Sequence, residues 1–168
     1  MKKLNLGSGK DYRNDWVNMD IHSDFKKDVT HDFNKFPYPF KENTFDLIEL
    51  RFVFEHLENP IRVLKELIRI GKNNCKIIIL TSHANSYAQW SDLQHRNHMN
   101  EHILDDWQLE EYGLKKNLKL VKFTWVWDKS NWWKKYIPLK SYLKIFLNGL
   151  YDNMGFELKV LKDTNSKI

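Results

Sequence analysis

"LNLGSGKDYRNDWVNMD", Leu4–Asp20, decides the fold. Leu4–Leu6 reads as a short apolar strand ending at Gly7. Trp16–Ile21, "WVNMDI", alternates with the period of a strand and carries an acid, Asp20, at its end. Strand, glycine loop, strand and acid outline a nucleotide-binding βαβ unit, but there is no room for the helix. With Trp16–Asp20 as strand, six residues remain for the crossover. Six helical residues rise only about 9 Å, too little to return along a strand of about 17 Å. Six extended residues span roughly 20 Å. The crossover is therefore a loop, shorter than the dozen or more residues usual between parallel strands.

That abbreviation bears on the ligand. A dinucleotide fingerprint is G-x-G-x-x-G with an acid about 20 residues on. Here Gly7 and Gly9 are present, Tyr12 takes the third place, and Asp20 comes 11 positions after Gly9. NAD and P-loop nucleotides need a helix N-terminus for their phosphates, and no G-K-[ST] is present. A ligand without phosphate needs only close backbone approach, which two glycines permit, and an acid for its ribose. S-adenosylmethionine is such a ligand. The loop alone fits a simple tight turn equally well.

Beyond the loop, "DVTHDF" (Asp28–Phe33) reads as a third strand and "FDLIELRFVF" (Phe45–Phe54) as a central one. Asn59-Pro60 opens an amphipathic helix, Pro60–Ile70, with proline where its missing N–H is harmless. "CKIIILTS" (Cys75–Ser82) is a buried strand. Asp105-Asp106 caps a helix running to about Lys116. "LKLVKFTWVW" (Leu118–Trp127) and "FELKVLK" (Phe156–Lys162) alternate as an antiparallel edge pair. The expected fold is α/β, a minimal Rossmann-like, mostly parallel sheet. It forms one domain over residues 1–168, with an insertion at about 128–155 rich in Trp, Tyr and Lys.

"LNLGSGK", "WVNMDI", "DVTHDFNKFPYPFKENTFDLIELRFVFEHLENPIRVLKELIRI" and "CKIIILTSH", in that order, resemble the class I S-adenosylmethionine-dependent methyltransferases. They are most similar to the small bacterial and archaeal kind often associated with cell-surface glycan synthesis. The resemblance implies cofactor binding by Leu6, Gly7, Ser8, Gly9, Asp20, Ile21, Asp32, Phe33, Arg51 and Phe52. It sets the glycines against the methionine part, Asp20 on the ribose hydroxyls, Asp32 on the adenine amino group and Phe33 beside the ring. His56 of "FEHLENP" would lie near the site; its plainer role is a half-buried structural histidine. The family often shows an acid in the strand before the glycine loop, where this chain has Asn5.

"SHANSYAQWSDLQHRNHMNEH" follows the strand ending at Ser82. Ligands of open α/β sheets bind at the carboxyl ends of strands, so this loop is expected to border the acceptor. His83 and His95 are the candidate bases for removing an acceptor proton. Asp92, His95 and Arg96 match a D-x-x-H-R-like element of the family, and Asp92, Arg96 and His98 are candidate substrate contacts. On a helix, His95, His98 and His102 would share one face, like a catalytic zinc set. The adjacent Arg96 and the lack of a carboxylate in a metal motif argue for no metal.

In the insertion, Leu139, Tyr142, Leu143, Phe146 and Leu150 recur at helical spacing, with Lys140 and Lys144 on the other face. A buried helix over Leu139–Leu150 is expected, covering the sheet face that the missing crossover helix leaves bare, or a partner's face in a homodimer. A substrate lid and a peripheral membrane helix are the alternatives.

The chain is 42% hydrophobic and 14% aromatic, with a formal net charge of +5. No like-charge block suggests a nucleic-acid arm, and the D/N-P-P-Y motif of base-amino methylation is missing. The single cysteine, Cys75, excludes an intrachain disulfide and fits a cytoplasmic setting. No leader-like N-terminus and no membrane-length apolar run is expected. The function expected is methyl transfer to an oxygen or nitrogen of a sugar, glycan precursor or other small molecule. A cofactor-binding interaction module without catalysis is the alternative, and a nucleic-acid methyltransferase a further one.

Overall fold

The computed structural model describes residues 1–22, 24–144 and 146–162. Seven strands form one sheet: β1 (Lys3–Leu6), β2 (Val17–Asp20), β3 (Val29–Thr30), β4 (Phe45–Arg51), β5 (Gly71–Ser82), β6 (Leu118–Val126) and β7 (Asn153–Val160). Their order is β3-β2-β1-β4-β5-β7-β6. β3 through β5 are parallel, and β7 is antiparallel to both β5 and β6, as expected.

No helix joins β1 to β2. The connecting loop is fastened by side chains instead. Asn5 and Asn18 are register partners on the two strands. Asn5 Nδ2 donates to the Asp11 carbonyl at 2.7 Å and to Asn18 Oδ1 at 3.2 Å. Asn18 also accepts from Arg13 N at 3.0 Å and donates to the Arg13 carbonyl at 2.9 Å. The two amides thus satisfy backbone groups that a helix would have satisfied internally. This explains an asparagine where the family often has an acid.

Helix α1 (Pro60–Ile70) has the expected bounds: Asn59 Oδ1 accepts from Arg62 N at 2.9 Å and Pro60 opens the first turn. Its Val63, Leu64, Leu67 and Ile70 join Leu4, Leu6, Ile48, Leu50, Ile77 and Ile79 in the core. Three elements differ from expectation. β3 is two residues long because Asp32 starts a turn, its carboxylate accepting from Asn34 N at 3.0 Å. β5 begins at Gly71 and pairs it with Phe45 across a bulge. After the short α2 (Tyr87–Ser91), the helix capped by Asp105, α3 (Asp106–Glu111), stops short of Lys116 because Gly113, at φ +67°, reverses the chain.

The insertion differs most. After a 3-10 stretch, Lys129–Tyr136, only Lys140–Leu143 (α4) is α-helical among the described residues, and its N-cap Leu139 is left-handed. Phe146 is 82% exposed, and Leu139 and Tyr142 are also exposed. Leu143 is half-buried and Leu150 buried, so the residues of the stripe do not form one buried face. The segment is held by polar contacts: Asn85 Nδ2 donates to the Leu147 carbonyl at 2.9 Å, and Lys134 pairs with buried Asp152 at 2.7 Å. Among the described residues, no helix is long and apolar enough to cross a membrane.

Candidate active site

The carboxyl ends of β1, β2, β4 and β5 open on one continuous cleft with two halves. The first, about 650 Å³, is lined among others by Gly7, Asp20, Asp32, Phe33, Val53 and Arg96. The second, about 850 Å³, is lined by Ser82, Asp92, His95, Asp128 and Asn153. Phe52, His56, Leu93 and Gln94 line both.

The first half is built on the glycine loop. Gly7 N donates to the Met19 carbonyl at 2.8 Å, and Gly9 N donates to Asp20 Oδ2 at 2.7 Å. Asp20 Oδ1 accepts from His22 N at 2.9 Å. An ionised carboxylate has about four acceptor sites, so Asp20, at the end of β2, keeps capacity for a diol. Gly7 has φ +77°, and a Cβ there would lie 2.1 Å from Val53 Cγ2. Phe33 and Asp32 sit side by side at the end of β3. Phe52 holds φ +52° between the halves, a conformation that is costly for a bulky side chain and concentrates at functional sites.

The second half depends on Glu55, which has no exposed surface. Its carboxylate accepts from Thr81 Oγ1 at 2.9 Å and Ser82 N at 3.2 Å, while its carbonyl accepts from Arg96 N at 2.9 Å. One buried residue of "FEHL" thus ties the end of β5 to the histidine loop and brings His95 to His56. Their ring centroids are 4.7 Å apart. His95 Nδ1 lies 3.1 Å from the Gln89 carbonyl, and His56 Nδ1 lies 3.3 Å from that of Gln94. A carbonyl only accepts, so the contact requires a proton on each Nδ1, and Nε2 is then the nitrogen of each ring open to another partner.

His83 is arranged in the opposite way. Its Nδ1 accepts from Asn85 N at 3.0 Å, and its Nε2 faces Glu101 at 3.1 Å. It is buried against Trp125 and Tyr151 and does not line the cleft. Burial lowers its pKa, against the pull of Glu101. Burial opposes the charge on Glu101 too, but the Lys144 hydrogen bond, with help from His83, outweighs it and brings that carboxyl down to about 2. Both ring nitrogens are engaged, Nδ1 as acceptor and Nε2 as donor, so His83 offers no free nitrogen to the cleft.

Other expected site residues also fall elsewhere. Leu6 is wholly buried in the core and Ser8 is buried with an unpartnered hydroxyl. Ile21 lines the first half. Arg51 pairs with Glu49 and lines a shallow depression of the sheet with Lys122 and Glu157, because strand alternation turns it away from Leu50's face. Arg96 lines the first half rather than the second. His98 is exposed and stacks on Trp90. The stretch from Asp92 to Asn100 is not helical, so His95, His98 and His102 share no face. Asp128 and Asn153 carried no sequence signal; they reach the cleft because β7 begins at Asn153, opposite Ser82 at the end of β5, and β6 ends beside it at Val126.

A sheet of this order, with a glycine loop, an acid at the end of β2 and a second pocket at the strand ends, defines a class I methyltransferase, an enzyme whose cofactor is S-adenosylmethionine. Residues 8–120 match a family model described as a methyltransferase domain. The chain belongs to that family. No curated protein matches it. Among solved structures it is similar to a SAM-dependent methyltransferase from Archaeoglobus fulgidus (TM-score 0.64, 16% identity, 94% of this chain and 85% of that one). It is also similar to one from Mesorhizobium loti (0.63, 9%, 94% and 90%). A third likeness is to a complex of the Haloferax volcanii Trm112 methyltransferase activator with a methyltransferase (0.60, 13%, 95% and 81%).

Proposed function

We propose that the chain moves the methyl group of S-adenosylmethionine to an oxygen or nitrogen of a sugar, glycan precursor or other small molecule. The observation that carries this reading is the continuity of the two halves at Phe52 and His56. A cofactor in the first half would present its sulfonium to an acceptor in the second. Gly7 and Gly9 would face the methionine part, Asp20 the ribose diol, and Asp32 with Phe33 the adenine. The second half carries amide, hydroxyl, carboxylate and imidazole groups, which suits a polyhydroxylated acceptor better than an apolar one. Catalysis rests on holding the nucleophile in line with the methyl carbon and excluding water. His95, with an unshared Nε2 lone pair, serves the acceptor rather than the cofactor. The lone cysteine supports a cytoplasmic setting.

Calorimetric titration with S-adenosylhomocysteine tests the cofactor half. A screen of nucleotide sugars, glycans and RNA for incorporation of labelled methyl tests the acceptor. Absence of binding at millimolar concentration ends the enzyme reading in favour of a non-catalytic module. Labelling of RNA alone would move the acceptor to nucleic acid.

A further inference from the structure

We propose that His56, Asp92 and His95 bind one divalent transition-metal cation, of the zinc type, at the acceptor end of the cleft, and that this cation holds an oxygen of the acceptor. The second half of the proposal rests on the methyl-transfer reading above; the first does not.

One ligand atom from each of the three side chains lies within 4.8 Å of the others. A tetrahedral zinc with bonds of about 2.0–2.1 Å spaces its ligands about 3.3 Å apart. The gap to be closed is therefore about 1.5 Å at most, within reach of a rotation of Asp92, whose side chain is half exposed.

A second observation is independent of proximity. Metal-bound histidines generally donate their other ring N–H to a carbonyl or carboxylate, which fixes the tautomer. Both histidines do so here, through Nδ1 to the carbonyls of Gln94 and Gln89, which leaves Nε2 as the ring nitrogen available to a metal. The carboxylate is oriented as well: Asp92 Oδ1 accepts from Gln94 N at 2.8 Å, while Oδ2 lies 3.8 Å from His95 Nε2. The end of the helix Tyr87–Ser91 and the turn that follows it to His95 thus supply two ligands and the groups that aim all three. His83 with Glu101 is also a histidine–carboxylate pair, yet it has no lone pair left over.

Three protein ligands leave a position for substrate, and all three line the second half of the cleft. A hydroxyl coordinated there is acidified and loses its proton to water at the cleft mouth. Its oxygen lone pair forms the bond to the methyl carbon as the carbon–sulfur bond breaks. That electron pair returns to sulfur, turning the sulfonium into the neutral thioether. The narrowed acceptor class is an alcohol or polyol, bound through oxygen.

The test uses tag-free, chelator-treated full-length protein. Cobalt(II) is titrated in while its visible absorption is followed, and zinc(II) is titrated by calorimetry. One saturable equivalent is expected. Asp92→Asn and His56→Ala should each weaken it by about tenfold or more, while His102→Ala, at the exposed His102–Asp105 pair, leaves it unchanged. No saturable binding at millimolar metal, or binding that survives both cleft substitutions, overturns the site. Titration with S-adenosylhomocysteine separates the two readings. Cofactor binding without metal binding sinks this inference alone, and metal binding without cofactor binding sinks the methyltransferase reading while the site stands.

Discussion

Gly7 and Gly9 both hold left-handed backbone, but only Gly7 is also pressed against a neighbour, so alanine substitutions separate conformation from contact. Alanine in the left-handed region costs about 1–2 kcal/mol. At Gly9, where an added Cβ meets nothing within 4 Å, that is the whole effect. For a chain of this length, 1 kcal/mol moves the melting temperature by about 2–4 °C, so Gly9→Ala should melt about 2–8 °C lower. At Gly7 the new Cβ would sit 2.1 Å from Val53 Cγ2. Normal carbon contact is about 3.5–4.0 Å, and Val53 is a stiff, buried β-branched residue with one torsion to turn. Forcing extra carbon into a packed site adds about 1–3 kcal/mol. The total of about 2–5 kcal/mol corresponds to a melt about 4–20 °C lower. Scanning calorimetry of the two variants side by side is the assay. Because Val53 lines the cofactor half, Gly7→Ala should also weaken S-adenosylhomocysteine. If the two variants melt together, the close approach of Gly7 to Val53 is refuted.

Asp20→Asn keeps shape but removes the charge from the proposed ribose bonds, each worth about 1.5–3 kcal/mol. Affinity for S-adenosylhomocysteine should fall at least about tenfold, and unchanged affinity would remove Asp20 from the site. The Glu101–His83–Lys144 cluster sets an acid limb. Glu101 drops from 4.5 to about 2 on folding, so between those values the unfolded chain binds more protons and stability falls as pH falls. His83, lowered from 6.5, acts with the same sign just below that value. Melting temperature against pH should therefore decline in acid, and Glu101→Gln should flatten the lower part of the curve; parallel curves would contradict the assignment. Asn85→Ala removes the side-chain bonds to Lys144, Leu147 and Leu150. Trypsin should then cut faster after Lys134, Lys135 and Lys140 while cofactor affinity stays the same.

What the sequence revealed, it revealed locally. The ends of α1 are written in Asn59, Pro60 and the apolar spacing that follows, and the missing crossover helix is a matter of counting residues. That Gly7, Asp20 and Asp32 would line one pocket was legible because each lies at or just beyond a strand's carboxyl end, where this sheet type opens its crevice. The meeting of His56 with His95 was not, because it depends on the buried Glu55 carboxylate, and nothing in the pattern says which way a lone acid in "FEHL" points. Arg51 and Phe52 were read together although strand alternation sends neighbours to opposite faces. The stripe from Leu139 to Leu150 shows the opposite failure. Its spacing says which side chains would align on a helix, but the helix stops at Leu143 and leaves Leu139, Tyr142 and Phe146 exposed, while the contacts that fix the segment to Asn85 are polar.

The loop after β1 carries a consequence for how this protein tolerates change. In a unit with a full crossover helix, the shape of the glycine loop and the grip on the ribose are separate tasks, and either can drift while the other holds. Here the Asp20 carboxylate is bonded to Gly9 N and His22 N and is also the group proposed to hold the ribose. A substitution there disturbs the scaffold and the ligand contact together, and no neighbouring helix is available to compensate. Saturation mutagenesis of residues 4–20 should accordingly find an intolerant stretch far denser than its exposure suggests, with Asn5, Asn18 and Asp20 as demanding as the glycines. The smaller module has lost redundancy, and its room for evolutionary adjustment lies at the opposite end of the cleft, among the loops that meet the acceptor.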